Sequence, residues 1–453
     1  MTRRTQLLFA SFCLCMTFAA LCVSTARAQN APSASRQSTN PPTAEQNPTP
    51  PTQSGWITKY TLSPDREQKA RALAKLTLRE RLVDMVYGFI LLIAILWWKL
   101  GPKYRDIAEK VSSRFLVQVL IFAPLIALTI DVLSLPTRLY AHSISLAYGL
   151  SIQGWGSWFW DWTKGELLSV IFSIIIVAIL YAVIRKSPRR WWFYFWLATL
   201  PLILAVIFIS PLVIDPMFHK FQPLQQKDPA LTAELEKMVQ RAGENIPPSR
   251  MFWMGAAEKT TELNAYVTGF GASKRIVVWD TTIAKLNAPQ IVFVAGHEMG
   301  HYVLHHIPKG FAFGAAMLFI AFCLGYRLIR WVLARSGARW GIRGLQDFAS
   351  YPALLLVISI LATLGDPIGN TFSRYFEHQA DQYGLEVTHG LTTHSGEVAA
   401  QAFNILGEIS LDDPDPSRLR VLLFYDHPSI PDRIQFALRY DPWAQGQTGQ
   451  FVK

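Results

Sequence analysis

The stretch Val294-Ala295-Gly296-His297-Glu298-Met299-Gly300-His301-Tyr302 carries an HExxH pattern within a helical segment expected from Ala288 to Ile307 and closed by Pro308. On a helix His297 and His301 stand one turn apart on one face, so both imidazoles reach a single Zn²⁺. Glu298 sits beside them, placed to take a proton from the water that such an ion would hold. A third protein ligand would give the open arrangement of a catalytic zinc site. The competing reading is a solvent-facing helix with two unrelated histidines, which a third ligand weakens.

That ligand is sought in Phe372-Ser373-Arg374-Tyr375-Phe376-Glu377-His378-Gln379-Ala380-Asp381, where Glu377 and Asp381 are four residues apart and share a helix face. Glu377 can complete the zinc site while Asp381 accepts the far N–H of a ligand histidine, fixing its tautomer. Taken alone, Glu377 would be a solvated surface carboxylate. His305, His306 and His378 crowd the same motifs and read as wall or supporting residues.

Around these motifs the chain is apolar: of 453 residues, 51% are apolar and only 17% charged, against about a quarter charged in soluble domains. The 15 Trp, 27 Phe and 15 Tyr are more than one soluble core would hide, whereas membrane interfaces collect them. Six apolar runs are long enough, or nearly so, to span a bilayer: 84–100, 115–135, 166–184, 191–213, 310–326 and 350–366. The aromatic stretch from Gly154 to Glu166 reads as an interfacial segment. The 43 basic and 32 acidic residues give a net charge of +11. The basic residues fall in short blocks beside apolar runs, as in cytoplasmic membrane loops, so a nucleic-acid partner is not expected. Three of four cysteines lie in the first 30 residues, which leaves no disulfide framework.

The chain begins with Arg3 and Arg4, an apolar stretch from Leu7 to Val23 and Ala26-Arg27-Ala28 as a cleavage site, so 1–28 reads as a signal peptide. An uncleaved first span is the alternative. A Pro-, Gln- and Ser-rich linker over 29–57 is expected to be disordered. Then follow a membrane domain with four spans (58–214), a polar segment with the HExxH helix (215–308), two further spans (309–369) and a second polar segment (370–453). Within 215–308, Leu231 to Ala242 reads as an amphipathic helix. Segments starting at Arg250, Asn264 and Arg275 read as short strands, the last two joined at Gly271-Ala272-Ser273.

HExxH followed about 75 residues later by SRxxExxAD, both between membrane runs, resembles the membrane zinc metalloproteases that include the type I CAAX prenyl proteases. The heat-shock HtpX proteases are more distant, having fewer membrane runs. The blocks starting at Ile214, Leu263, Lys274 and Asp426 resemble family blocks in family order, and the likeness covers about residues 57 to 440. It implies a mainly α polytopic bundle enclosing a chamber, with a small α+β zincin-type domain of gluzincin type. It also implies one Zn²⁺ per chain held by His297, His301 and Glu377, with Glu298 as general base and acid. Asn264 matches a position that holds substrate backbone at a sheet edge. His427 and Arg433 match a late block that could stabilise the oxyanion of the tetrahedral intermediate; a structural His427 before Pro428 is equally open. Arg374 would pair with a carboxylate near the site, or be a plain surface arginine.

The expected partners are the lipid bilayer and a peptide or membrane-protein substrate, with C-terminal prenylation of that substrate implied by analogy only. Basic blocks after the first, third and fifth runs put those connections in the cytoplasm. Both polar segments then lie outside, at a bacterial inner membrane. Eukaryotic CAAX proteases differ, with an additional first span and a cytosolic zinc site, so a cytoplasmic site is the alternative. Rival functions are an HtpX-like quality-control protease and a non-catalytic zinc transporter or receptor. Transporters place ionisable groups inside spans, whereas these candidates adjoin them.

Overall fold

The computed structural model describes residues 55–269 and 273–452, so the signal peptide and nearly all of the linker expected at 29–57 lie outside the described residues. The linker's last residue already belongs to the fold: Ile57 packs on a core of Tyr60, Phe293 and Phe403.

Helix α1 (Pro64–Trp97) and helix α2 (Leu100–Val111) meet at a 53° bend. Lys99, in the left-handed region at φ 57°, turns the chain there. Helices α3 (Phe115–Leu133), α4 (Leu135–Ala147), α5 (Trp155–Lys186) and α6 (Trp191–Ile209) follow. Among the described residues five helices are long and apolar enough to cross a membrane, and α1 with α2 passes only as a bent pair. The cause is visible on α6, which buries Phe195, Ile203 and Val206 yet exposes Leu197, Leu204 and Phe208. A helix apolar on every side needs lipid on the faces its neighbours do not cover.

One expectation changes here and one helix is new. The aromatic stretch from Gly154 to Glu166 forms the first turns of α5, continuous with the third span, with Trp158 buried against His142 at 5.3 Å between ring centroids. Helix α4 went unforeseen because its polar residues hide its role: buried Arg138 bridges Asp131 of α3 at 2.5 Å and Glu166 of α5 at 3.0 Å.

Beyond the fourth span a mixed sheet assembles in the order β1-β2-β4-β3, from β1 (Lys220–Pro223), β2 (Met251–Gly255), β3 (Ala265–Thr268) and β4 (Arg275–Trp279). Strands β2 and β4 run parallel and the outer pairings are antiparallel. β1 is too short and polar to announce itself in the sequence. Strands β3 and β4 are neighbours, as a hairpin requires, but Gly271 and Ala272 of their connection lie outside the described residues. Helix α7 (Pro229–Arg241) packs Leu235 and Met238 on the sheet's apolar residues Met251, Ile276 and Val278.

Helix α8 (Ala288–Val303) holds the HExxH pattern, and Asn287 and Gln290 form a reciprocal cap at its start. It ends four residues short of the expected Ile307 because His305 adopts a left-handed φ of 58°. Pro308 therefore does not close α8. It sits in the first turn of α9 (His306–Ser336), where a missing N–H costs nothing. Helix α10 runs unbroken over Tyr351–Thr388, so the boundary placed at 369/370 falls inside one helix that is sixth span and ligand carrier at once. Helices α11 (Ser395–Ser410), α12 (Arg418–Phe424) and α13 (Ile430–Arg439) complete the domain.

Candidate metal centre and active site

Glycine permits the contact on which the site depends. A Cβ on Gly300 of α8 would stand 2.9 Å from the Tyr383 Cβ of α10, and one on Gly384 of α10 would stand 3.1 Å from the His297 amide nitrogen. Bare backbone at these crossings lets α8 and α10 approach closely enough for their polar side chains to meet.

At that crossing His297, His301 and Glu377 offer ligand atoms within 4.8 Å of one another. The Nε2 atoms of His297 and His301 are 3.3 Å apart, and they lie 3.3 and 3.5 Å from the two Glu377 carboxylate oxygens. Ligands at about 2.0–2.1 Å around a tetrahedral zinc ion would be separated by about this much, and the two-nitrogen, one-oxygen donor set suits that ion. The residues present therefore fit the metal.

His297 Nδ1 lies 2.8 Å from Asp381 Oδ1, leaving Nε2 to face the centre. Asp381 is in turn gripped by Arg433 of α13, which donates from Nε at 2.9 Å and Nη2 at 2.6 Å and stacks over Phe403. Arg433, expected to face the oxyanion, thus stands behind the His297 ring. His427 is nearer the reaction space, with Nε2 3.2 Å from Glu377 Oε2 and Nδ1 3.0 Å from Asp426.

Arg374 differs from its expected role. It donates to the Val421 carbonyl at 2.9 Å, to the Tyr425 carbonyl and to the Thr371 hydroxyl, so it pins the chain leading to His427, with Asp426 as the nearby carboxylate charge acting on it. Asn264 immediately precedes β3, an edge strand. Its backbone is tied to Thr282 and Trp279, and its side-chain Nδ2 is buried with no partner among the described residues.

Two supports were only partly legible. His306 Nδ1 approaches His301 Nδ1 at 3.1 Å, its Nε2 meets Gln379 at 3.2 Å, and its ring stacks on Phe376 at 4.1 Å. The crowding of histidines signalled His306, but nothing signalled Gln379. His378 packs on Phe436 instead, and His305 serves the turn between α8 and α9.

Burial pushes the Glu298 carboxyl up to about 7, with Glu377 adding to the rise and His297 opposing it. A carboxyl poised near neutrality can both take and give a proton. Burial drives His301 down to about 3, favouring the neutral ligand form. Burial also presses on His297, but Asp381 and Glu377 outweigh it and hold that ring up to about 10.

Residues 225–441 match the peptidase family M48, and residues 46–220 match the CAAX prenyl protease N-terminal region of five membrane helices. The uncharacterized metalloprotease YhfN of Bacillus subtilis is 36% identical over 78% of this chain and 80% of its own length. The chain belongs to peptidase family M48. It is a membrane zinc metalloprotease, and the transporter, receptor and quality-control readings are not favoured. Among other relatives of this M48 protease is the CAAX prenyl protease 1 homolog of Arabidopsis thaliana, 28% identical over 83% of the chain and 88% of that protein. The crystal structure of S. mikatae Ste24p shares the fold, with a TM-score of 0.70 and 20% identity over 96% of each chain.

Proposed function

We propose that one zinc ion per chain is held by His297, His301 and Glu377, in a gluzincin-type endopeptidase whose general base and acid is Glu298. The observation that carries this reading is the convergence of three ligand atoms, with His297 Nε2 3.3 Å from both His301 Nε2 and Glu377 Oε2, beside a half-buried Glu298. A zinc ion held there would supply Lewis acidity and lower the pKa of a bound water toward neutrality. Glu298 takes the proton from the attacking water and returns it to the departing amine nitrogen, which its near-neutral carboxyl suits. Asp381, with Arg433 behind it, holds the His297 ring in the tautomer that presents Nε2. His427 donates toward the developing oxyanion. Asn264 and the free edge of β3 take the substrate main chain as an added strand, independently of the side chains being cut.

Three further elements belong to this reading. Substrates are peptides or membrane proteins that enter a chamber within the bundle. C-terminally prenylated chains are candidates on the strength of the relatives' names alone. The site lies on the extracytoplasmic face of a bacterial inner membrane, because the basic blocks flank the opposite ends of the spans. The division into a four-span membrane region (58–214), a protease segment (215–308), two further spans (309–369) and a second protease segment (370–453) rests on the alternation of apolar runs with polar stretches.

Glu298→Gln should keep its zinc yet lose roughly 10²–10⁴-fold in cleavage of a peptide by the purified full chain. Undiminished cleavage by that variant would sink the assignment of the base. Zinc-dependent cleavage of one peptide with and without its prenyl group decides substrate class.

A further inference from the structure

The basic blocks have a second feature that topology alone does not account for. At the end of the bundle away from the metal, the C-terminus of α5, the loop before α6, the last turns of α9 and the loop before α10 surround a cavity of about 760 Å³. That is the size of a pocket for a small ligand. Its wall includes Arg185, Arg189, Arg330 and Arg343 together with Glu109 and Tyr326. Arg343 is spoken for: it pairs with Glu109 at 2.7 Å and Asp106 at 3.3 Å. The carboxylate of Asp347, also in the wall, is taken by buried Arg105. Arg185, Arg189 and Arg330 make no ion pair among the described residues. Arg185 lies over the rings of Phe115 and Phe348, 4.8 and 4.7 Å from their centroids, and Arg330 leans on Tyr326, donating to its hydroxyl at 3.1 Å. Two of the three guanidiniums, those of Arg185 and Arg330, are thus pre-positioned by aromatic rings, and Arg189 stands exposed beside them.

The cavity is at membrane-surface depth. From Tyr351 beside it to Glu377 the single helix α10 climbs about 39 Å, close to the thickness of a bilayer with its headgroups. Next to Arg330, Trp331 is exposed with Arg335 over its ring at 4.8 Å, the pattern of a chain at headgroup level.

We propose that this cavity binds a phosphate-bearing anion, in the headgroup layer of the leaflet opposite the metal centre. Planar guanidiniums converging on one space suit phosphate oxygens. The two sources of that chemistry are an anionic phospholipid headgroup and a free phosphate.

The test uses the full chain in detergent micelles, with bound ligand counted by native mass spectrometry. Its probes are short-chain phosphatidylglycerol, phosphatidylcholine with the same chains, and inorganic phosphate. Phosphatidylglycerol should bind roughly tenfold or more tightly than phosphatidylcholine. The preference should vanish in Arg185→Gln/Arg189→Gln/Arg330→Gln and persist in Lys69→Gln/Lys75→Gln/Arg79→Gln, which removes the same charge from exposed positions of α1. Arg189→Gln alone, a change at an exposed position, should weaken binding several-fold and covers the case in which the triple variant does not fold. Arginine-dependent binding of inorganic phosphate as tight as that of phosphatidylglycerol supports the site and names a soluble source. Equal binding of the two lipids with no arginine-dependent phosphate binding overturns the proposal, as does phosphatidylglycerol binding that Arg189→Gln leaves unchanged.

Discussion

At the residue scale the centre is a chain of commitments in which each group fixes the next. Arg433 holds Asp381, Asp381 holds His297 Nδ1, and Nε2 is thereby turned toward His301 and Glu377. Arg433→Ala should therefore lower zinc affinity by roughly 10–100-fold, read by competition with a chelator, because Asp381 is left buried with one partner fewer. Arg433→Lys should recover only part of it, since an ammonium cannot replace a two-nitrogen grip. His297 and His301 could be picked out in the sequence because helical spacing brings such a pair to one face, with Glu298 between them in the HExxH pattern, whereas Glu377 needed the flanking SRxxExxAD pattern and the family resemblance. The grip of Arg433 on Asp381 could not, because it links α13 to α10 across a distance that no local pattern encodes. Arg374 shows the same limit: its neighbours in sequence suggested a carboxylate partner, while folding gives it carbonyls of the His427 segment.

At the element scale two packing contacts are open to test. Gly300→Ala would put a methyl 2.9 Å from Tyr383 Cβ, which neither backbone can evade without moving α8 from α10. A loss of roughly 1–3 kcal/mol in unfolding free energy is expected, together with weaker zinc retention. In the membrane part, Arg138→Leu would strand Asp131 and Glu166 inside the bundle. A penalty of roughly 3–5 kcal/mol is expected, visible as a lower unfolding temperature or failure to accumulate. Apolar runs marked where spans occur, because lipid imposes hydrophobicity on every face. They did not mark α4 or the full reach of α10, whose polar halves obey the protein interior and not the bilayer.

For the whole molecule, the three residues that could hold a metal join α8 to α10, elements that the sequence separates by two spans, so on the proposed ligand set the ion would be a bridge between them. A ligand bound only by the folded state raises stability by an amount that grows with the logarithm of its concentration over Kd. Chelation should then lower the unfolding temperature of the parent chain and leave Glu377→Ala nearly unmoved. A C-terminal alkaline phosphatase fusion should be active in bacterial cells if residues after α10 are extracytoplasmic; an inactive enzyme with a fluorescent cytoplasmic reporter in its place would reverse the orientation.

The continuity of α10 from the far membrane surface to Glu377 also orders events during biogenesis. When α8 has left the ribosome, the chain has only His297 and His301 of its ligand set to offer, and two nitrogens make a weak site. Glu377 returns to the same face only after α9 has crossed the bilayer and α10 has crossed back. On the proposed ligand set, metal acquisition would therefore be a late step, and tight zinc retention would report that both crossings have been inserted in the right sense.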